Sequence, residues 1–263
     1  MRDIRSEINV LAARLGGCVS VAVRNINNAF DYSYNDTERV WSASVIKVPV
    51  LVEACKRLAD GTATRDMEFV LEAEGRAPGS GLLRYMTPGT KLSYEDLMLL
   101  MITVSDNHAT NMLIDYLTPE AITNTMRSFG YTGTEVQRKI FDYEGMNRGL
   151  YNWITAGEIA DLCKRIYCKQ AAGGEADELA LEIMSRTCSK TLLRLYLPDD
   201  VCVANKPGGI EHVMHDSGML WTDNFSYSIC VTTVGWQSHT EATLTIAKIS
   251  RLIYDEVIAR CRR

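Results

Sequence analysis

Strand signals stand at the two ends of this chain and almost nowhere between, and that distribution narrows the folds open to it more than any other feature. Near the N-terminus Val19, Val21 and Val23 alternate with small residues, Asn25-Ile26-Asn27-Asn28 supplies turn chemistry, and Phe30, Tyr32 and Tyr34 alternate with polar partners. A period of two on either side of a polar turn reads as a β-hairpin. Strand patterns return only at 201–204, 217–221 and 227–234, with Thr222-Asp223-Asn224 as a turn between the last two. The intervening stretch is full of helix starts. Ser93-Tyr94-Glu95-Asp96 resembles a capping box, Thr118-Pro119 puts proline at a first helical position, and Thr155-Ala156-Gly157-Glu158 reads as a full capping box. An opening amphipathic helix bears Ile8, Leu11, Ala12 and Leu15 and stops at Gly16-Gly17; a closing one starts at Ser238-His239-Thr240-Glu241. The expected fold is therefore α/β (α+β): a mainly antiparallel sheet assembled from both chain ends and flanked by helices, with an all-helical unit inserted. The expected units are 1–43 with 200–263 for the sheet and 44–199 for the helices, with a site at their junction.

Composition restricts what such a fold can do. The 263 residues are 46% hydrophobic and 23% charged, enough for a substantial core, and a net charge of −5 offers no basic field for nucleic acid. No stretch approaches a membrane span, and the first seven residues lack the apolar run of a secretion signal, so a cytosolic protein or the mature form of an exported one is expected. The eight cysteines are dispersed without Cys-x-x-Cys spacing and several lie in apolar segments, which predicts free, mostly buried thiols. Four histidines without ligand spacing predict no metal, His212 and His215 being too isolated to count, and no cofactor is expected.

Three short motifs carry chemistry. In Ser44-Val45-Ile46-Lys47 a hydroxyl and an amine three residues apart share one helix face, and the apolar residues around them place Lys47 in or beside a core. A desolvated lysine can become neutral and take a serine's proton. The apolar run 97–104 ends abruptly at Ser105-Asp106-Asn107, delivering polar groups from a buried helix end; Ser105 can relay a proton and the Asn107 amide can hold a bound amide, while Ser105 or Asp106 could equally cap the next helix. Lys206-Pro207-Gly208-Gly209 follows a strand and could bind a carboxylate, with Gly208 and Gly209 letting backbone approach a ligand; a solvated turn fits the spacing as well.

In this order the three motifs resemble those of the class A β-lactamases and penicillin-binding proteins, and the resemblance spans nearly the whole chain. It implies the DD-peptidase/β-lactamase fold and a small-molecule substrate, a β-lactam or an acyl-D-alanine compound, met by a monomer. By matching motif, Ser44 would be the acylated nucleophile, Lys47 its base or proton partner, Ser105 the relay, Asn107 the ligand of the substrate amide and Lys206 the carboxylate anchor, with the N–H groups of Ser44 and Gly209 forming the oxyanion hole. Three departures stand out. Pro207 lacks the hydroxyl usual beside the anchoring lysine. No arginine follows that motif, His215 lying at about its place. The loop before Thr155 is short, and Glu144, with Asp142 as rival, is the best match for the glutamate that activates the deacylating water. A class A-type β-lactamase is the leading expectation, with a D-alanyl-D-alanine peptidase or serine esterase, or an acyl-trapping sensor, as alternatives.

Overall fold

The structure, a computed structural model, describes residues 3–262. Helix α1 (Ile4–Leu15) starts on the Asp3 carboxylate, which accepts the Ser6 N–H, and ends at Gly16 in the left-handed conformation with φ 69°. The predicted hairpin follows as β1 (Cys18–Asn27) and β2 (Tyr32–Tyr34), in the register Val21 opposite Tyr34 and Val23 opposite Tyr32. The chain continues through β3 (Arg39–Trp41), a 3-10 turn over Ala43–Ile46, α2 (Lys47–Ala59), and the ribbon strands β4 (Glu68–Val70) and β5 (Lys91–Ser93). Then come α3 (Tyr94–Thr103), α4 (Asn107–Leu117), α5 (Pro119–Ser128), the single-turn α6 (Tyr143–Asn147), β6 (Trp153–Thr155), α7 (Ala156–Tyr167) and α8 (Gly174–Ser185). Strands β7 (Cys202–Ile210), β8 (Val213–Trp221) and β9 (Ser226–Val234) and helix α9 (His239–Cys261) close the chain.

The main sheet runs β2-β1-β9-β8-β7 with the long strands antiparallel, so both chain ends build it, as the strand distribution requires. Its two faces follow the period of two. Val19, Val21, Val23, Leu220, Ile229 and Val231 pack on α1 and α9, while Ala22, Ala204, Met219 and Cys230 join the core of the helical block on the other side. Helix α7 lies on that second face, where the Ser228 hydroxyl donates to Ala160 O at 2.6 Å. The central helix α2 is buried at every residue from Lys47 to Cys55. A helix apolar all round belongs inside such a block.

Most of the local signals form as expected and some do not. Ser93 and Asp96 form a reciprocal capping box, Thr118 caps α5 ahead of Pro119, and Ser238 caps α9. At α7 the Thr155 hydroxyl accepts the Glu158 N–H, but the Glu158 carboxylate reaches back to the Thr132 and Gly133 N–H groups, so the box is only half made. The ribbons β3/β6 and β4/β5 lie where no strands are expected, because three-residue strands are too short to show a period. The Lys206 motif is part of β7 itself, with Pro207 opposite Asp216. Proline is tolerated there because β7 is a sheet edge and its missing N–H breaks no ladder. The cysteines are free, but only Cys55, Cys163 and Cys230 are buried, whereas Cys18, Cys188, Cys202 and Cys261 are exposed. Among the described residues no helix is long and apolar enough to cross a membrane.

Candidate active site

Ser44 lies in the 3-10 turn that leads into α2, and the Lys47 N–H donates to its carbonyl. Side chains three apart eclipse in a 3-10 turn, so the Ser-x-x-Lys spacing puts Ser44 and Lys47 on one side of the turn. Strand β7 passes hard against this turn: a Cβ on Gly208 would come within 2.7 Å of Ser44 N and 2.8 Å of Val45 N. Only glycine permits that approach, and it carries Gly209 into the same cleft as Ser44.

Lys47 is fully buried, and its Nζ contacts Ser105 O at 2.8 Å, Ser105 Oγ at 3.0 Å and Asn107 Oδ1 at 2.8 Å. Lys206, also fully buried, donates to the same Ser105 Oγ at 3.1 Å and to Pro207 O at 2.7 Å. Burial first, and then the charge of Lys206, push the Lys47 pKa well below the ordinary lysine value. Burial takes Lys206 down to about 7 despite the opposing pull of Asp216. All three neighbours accept N–H bonds from Lys47 Nζ, while the lowered pKa favours the neutral form that a base requires.

Ser105 is held with φ 55°, rare for a residue with a Cβ, and the groups around it explain why. The Asp106 carboxylate accepts the N–H groups of His108 and Ala109 at the start of α4 and those of Leu82 and Leu83 from the facing loop. Gly81 must be glycine beneath it, since a Cβ would fall 2.3 Å from that carboxylate. Asp106 is thus the cap, and capping frees Ser105 and Asn107 to turn toward Lys47.

A cleft of about 400 Å³ opens over Ser44, Asn107 and Gly209. Its far wall is the segment 138–152, which presents Arg138, Ile140, Phe141, Tyr143, Met146 and Tyr151. Two expectations are corrected here. Glu144 is exposed on α6 and does not line the cleft, and Asp142 spends its carboxylate capping α6 at Gly145 N. Among the described residues no carboxylate lines the cleft. His215 is fully buried, with Nε2 2.8 Å from Trp41 O and Nδ1 2.7 Å from Met214 O; burial outweighs those two carbonyls and takes its pKa down to about 4. It therefore ties β3 to the sheet and offers a substrate no positive charge at neutral pH. The residue that sequence reasoning missed is Asn111. Its amide clasps Ile140 on both sides, Nδ2 donating to Ile140 O at 2.9 Å and Oδ1 accepting Ile140 N at 2.7 Å. The signal was present, because Asn107 and Asn111 are one α-helical turn apart on the same face of α4. Among the described residues no group of three or more His, Cys, Asp or Glu side chains is placed to hold a metal ion.

A mixed α/β molecule with this antiparallel sheet, and with a buried serine-lysine cluster at the junction of sheet and helices, has the architecture of the class A β-lactamases. A β-lactamase from Sphaerobacter thermophilus DSM 20745 superposes with a TM-score of 0.90 at 24% identity over 97% of each chain. PBP-A superposes with a TM-score of 0.90 at 25% identity over 98% of this chain and 97% of its own. A variant of the last common ancestor of Gram-negative class A β-lactamases gives 0.89 at 23% identity, over 98% and 99%. The sequence signature of the Beta-lactamase enzyme family matches residues 3–257, and the chain belongs to that family. No curated protein sequence matches it significantly.

Proposed function

We propose that the protein is a metal-independent serine acyltransferase of the penicillin-binding type: Ser44 opens β-lactam and acyl-D-alanine amides through an acyl-enzyme that is released slowly. The observation that carries the first half is the burial of Lys47 against Ser105 and Asn107 with its pKa driven down, the condition under which a lysine can act as a base near neutral pH. Ser44 Oγ bonds to the acyl carbon as its proton passes to Lys47. Ser105 gives its hydroxyl proton to the leaving nitrogen as the C–N bond breaks and is reprotonated from Lys47. The N–H groups of Ser44 and Gly209 receive the oxyanion, Asn107 holds the substrate's amide and Lys206 its carboxylate.

The second half favours the peptidase and trapping readings over a fast β-lactamase, because among the described residues no carboxylate lines the cleft to activate a deacylating water. PBP-A, the relative at 25% identity, is known in mutant form as an acyl-enzyme complex with penicillin G. The test is mass spectrometry with benzylpenicillin followed by nitrocefin kinetics. The expected result is one covalent equivalent on the wild type, none on Ser44→Ala, and a burst in place of sustained turnover. Sustained rapid hydrolysis of nitrocefin would restore the β-lactamase reading, and uptake of penicillin by Ser44→Ala would remove Ser44 from the mechanism.

A further inference from the structure

The cleft wall carries a cation that the acylation chemistry does not use. The main chain of Arg138 is gripped by the buried side chain of Asn152, whose Oδ1 accepts Arg138 N at 3.2 Å and whose Nδ2 donates to Arg138 O at 3.0 Å. Asn152 O in turn accepts Ser42 N at 3.0 Å, so Arg138 is fixed relative to the strand that leads into Ser44. The guanidinium donates from Nε to Leu150 O at 3.1 Å and from Nη1 to Lys139 O at 2.9 Å. Among the described residues no carboxylate forms an ion pair with it. Asp142, whose charge acts on it through space, is committed to capping α6. A half-buried guanidinium hydrogen-bonded only to carbonyls, with Asp142 acting on it only through space, keeps N–H donors that an anion in the cleft can take. Beside it Trp41 and Tyr151 stack with ring centroids 5.9 Å apart, and both line the cleft.

We propose that this wall selects acyl donors whose acyl part carries a carboxylate next to a flat apolar group, with Arg138 pairing the carboxylate and the Trp41–Tyr151 pair receiving the apolar part. Lys206 is buried on β7 against Ser105 Oγ and is not part of this wall, so the anion at Arg138 is distinct from a carboxylate held by Lys206. The inference rests on acylation at Ser44. Benzylpenicillin and carbenicillin differ by one carboxylate on the acyl side chain, and the ratio of their second-order acylation rates isolates its effect. The wild type is expected to react about tenfold faster with carbenicillin at low salt, with the ratio shrinking as ionic strength rises. Arg138→Gln should bring the ratio to one or below. Arg138→Lys, which keeps the charge if loss of the backbone bonds unsettles the loop in the glutamine variant, should retain part of the preference. A wild-type ratio of one or less at low salt, or an unchanged ratio in folded Arg138→Gln, overturns the inference while leaving acylation at Ser44 intact. Failure of benzylpenicillin to acylate Ser44 at all would overturn both.

Discussion

The role of His215 can be decided by titration, and the structure sets the size of the effect. The imidazole has a free value of 6.5 and is taken down to about 4 by burial in the folded chain. Between these two values the unfolded chain binds a proton that the folded chain refuses, so the stability contributed by neutral His215 is fully present above 6.5 and is lost as pH falls toward 4. Integrating the linkage from pH 7 to pH 5 gives a loss of about 2 kcal/mol from this one group, with the local slope approaching about 1.4 kcal/mol per pH unit. The assay is urea unfolding of the wild type and His215→Gln at both pH values, with the histidine signals followed by NMR. The difference in stability between the two proteins should shift by about 2 kcal/mol toward the variant on acidification, and the ring should titrate far below 6.5. Protonation also sets a charge between β3 and β8 next to Trp41, so acid loss of stability should be accompanied by loosening of the cleft's aromatic wall. An NMR titration at or above 6.5 would refute this reasoning, because the two carbonyls would then have outweighed burial and His215 would be a cation at the edge of the site, as sequence position alone suggested.

Four further outcomes are expected. Lys47→Ala should slow acylation by benzylpenicillin about 100- to 10,000-fold in stopped-flow or quenched mass spectrometry, the range for a positioned base, and an unchanged rate would exclude Lys47. Ile140→Glu, with its main chain still clasped by Asn111, should place a carboxylate in the cleft and speed release of the penicilloyl group about 100-fold or more; deacylation as slow as the wild type's would show that the wall is too far from the ester. Glu144→Ala should leave acylation and deacylation within about twofold, since the side chain faces solvent, and accumulation of acyl-enzyme in that variant alone would return the deacylating role to it. Pro207→Thr should tighten binding of carboxylated substrates by about 1 kcal/mol, read as a lower apparent dissociation constant in acylation kinetics, provided the thermal midpoint is kept.

What the sequence determined by itself was whatever local physics controls. The valine alternation of β1, the caps at Ser93, Thr118 and Ser238 and the apolar girth of α2 are written within one or two turns of chain, and each formed as read. Motif order likewise brought Ser44, Lys47, Ser105, Asn107 and Lys206 into view, and the fold brings both lysines to Ser105 Oγ, with Asn107 on Lys47. Only the tertiary structure decided where the remaining side chains point. Pro207-Gly208-Gly209 reads locally as a turn and is strand because β8 pairs with it and the 3-10 turn at Ser44 packs against it. His215 lies inward because pairing with Gly208 and cover from β3 fix which face of β8 is buried. Most consequential for function, an acid in a loop has no fixed direction until something holds the loop. Here Asn111 and Asn152, reaching from elsewhere in the chain, turn Ile140 and Arg138 toward Ser44 and leave Glu144 to the solvent.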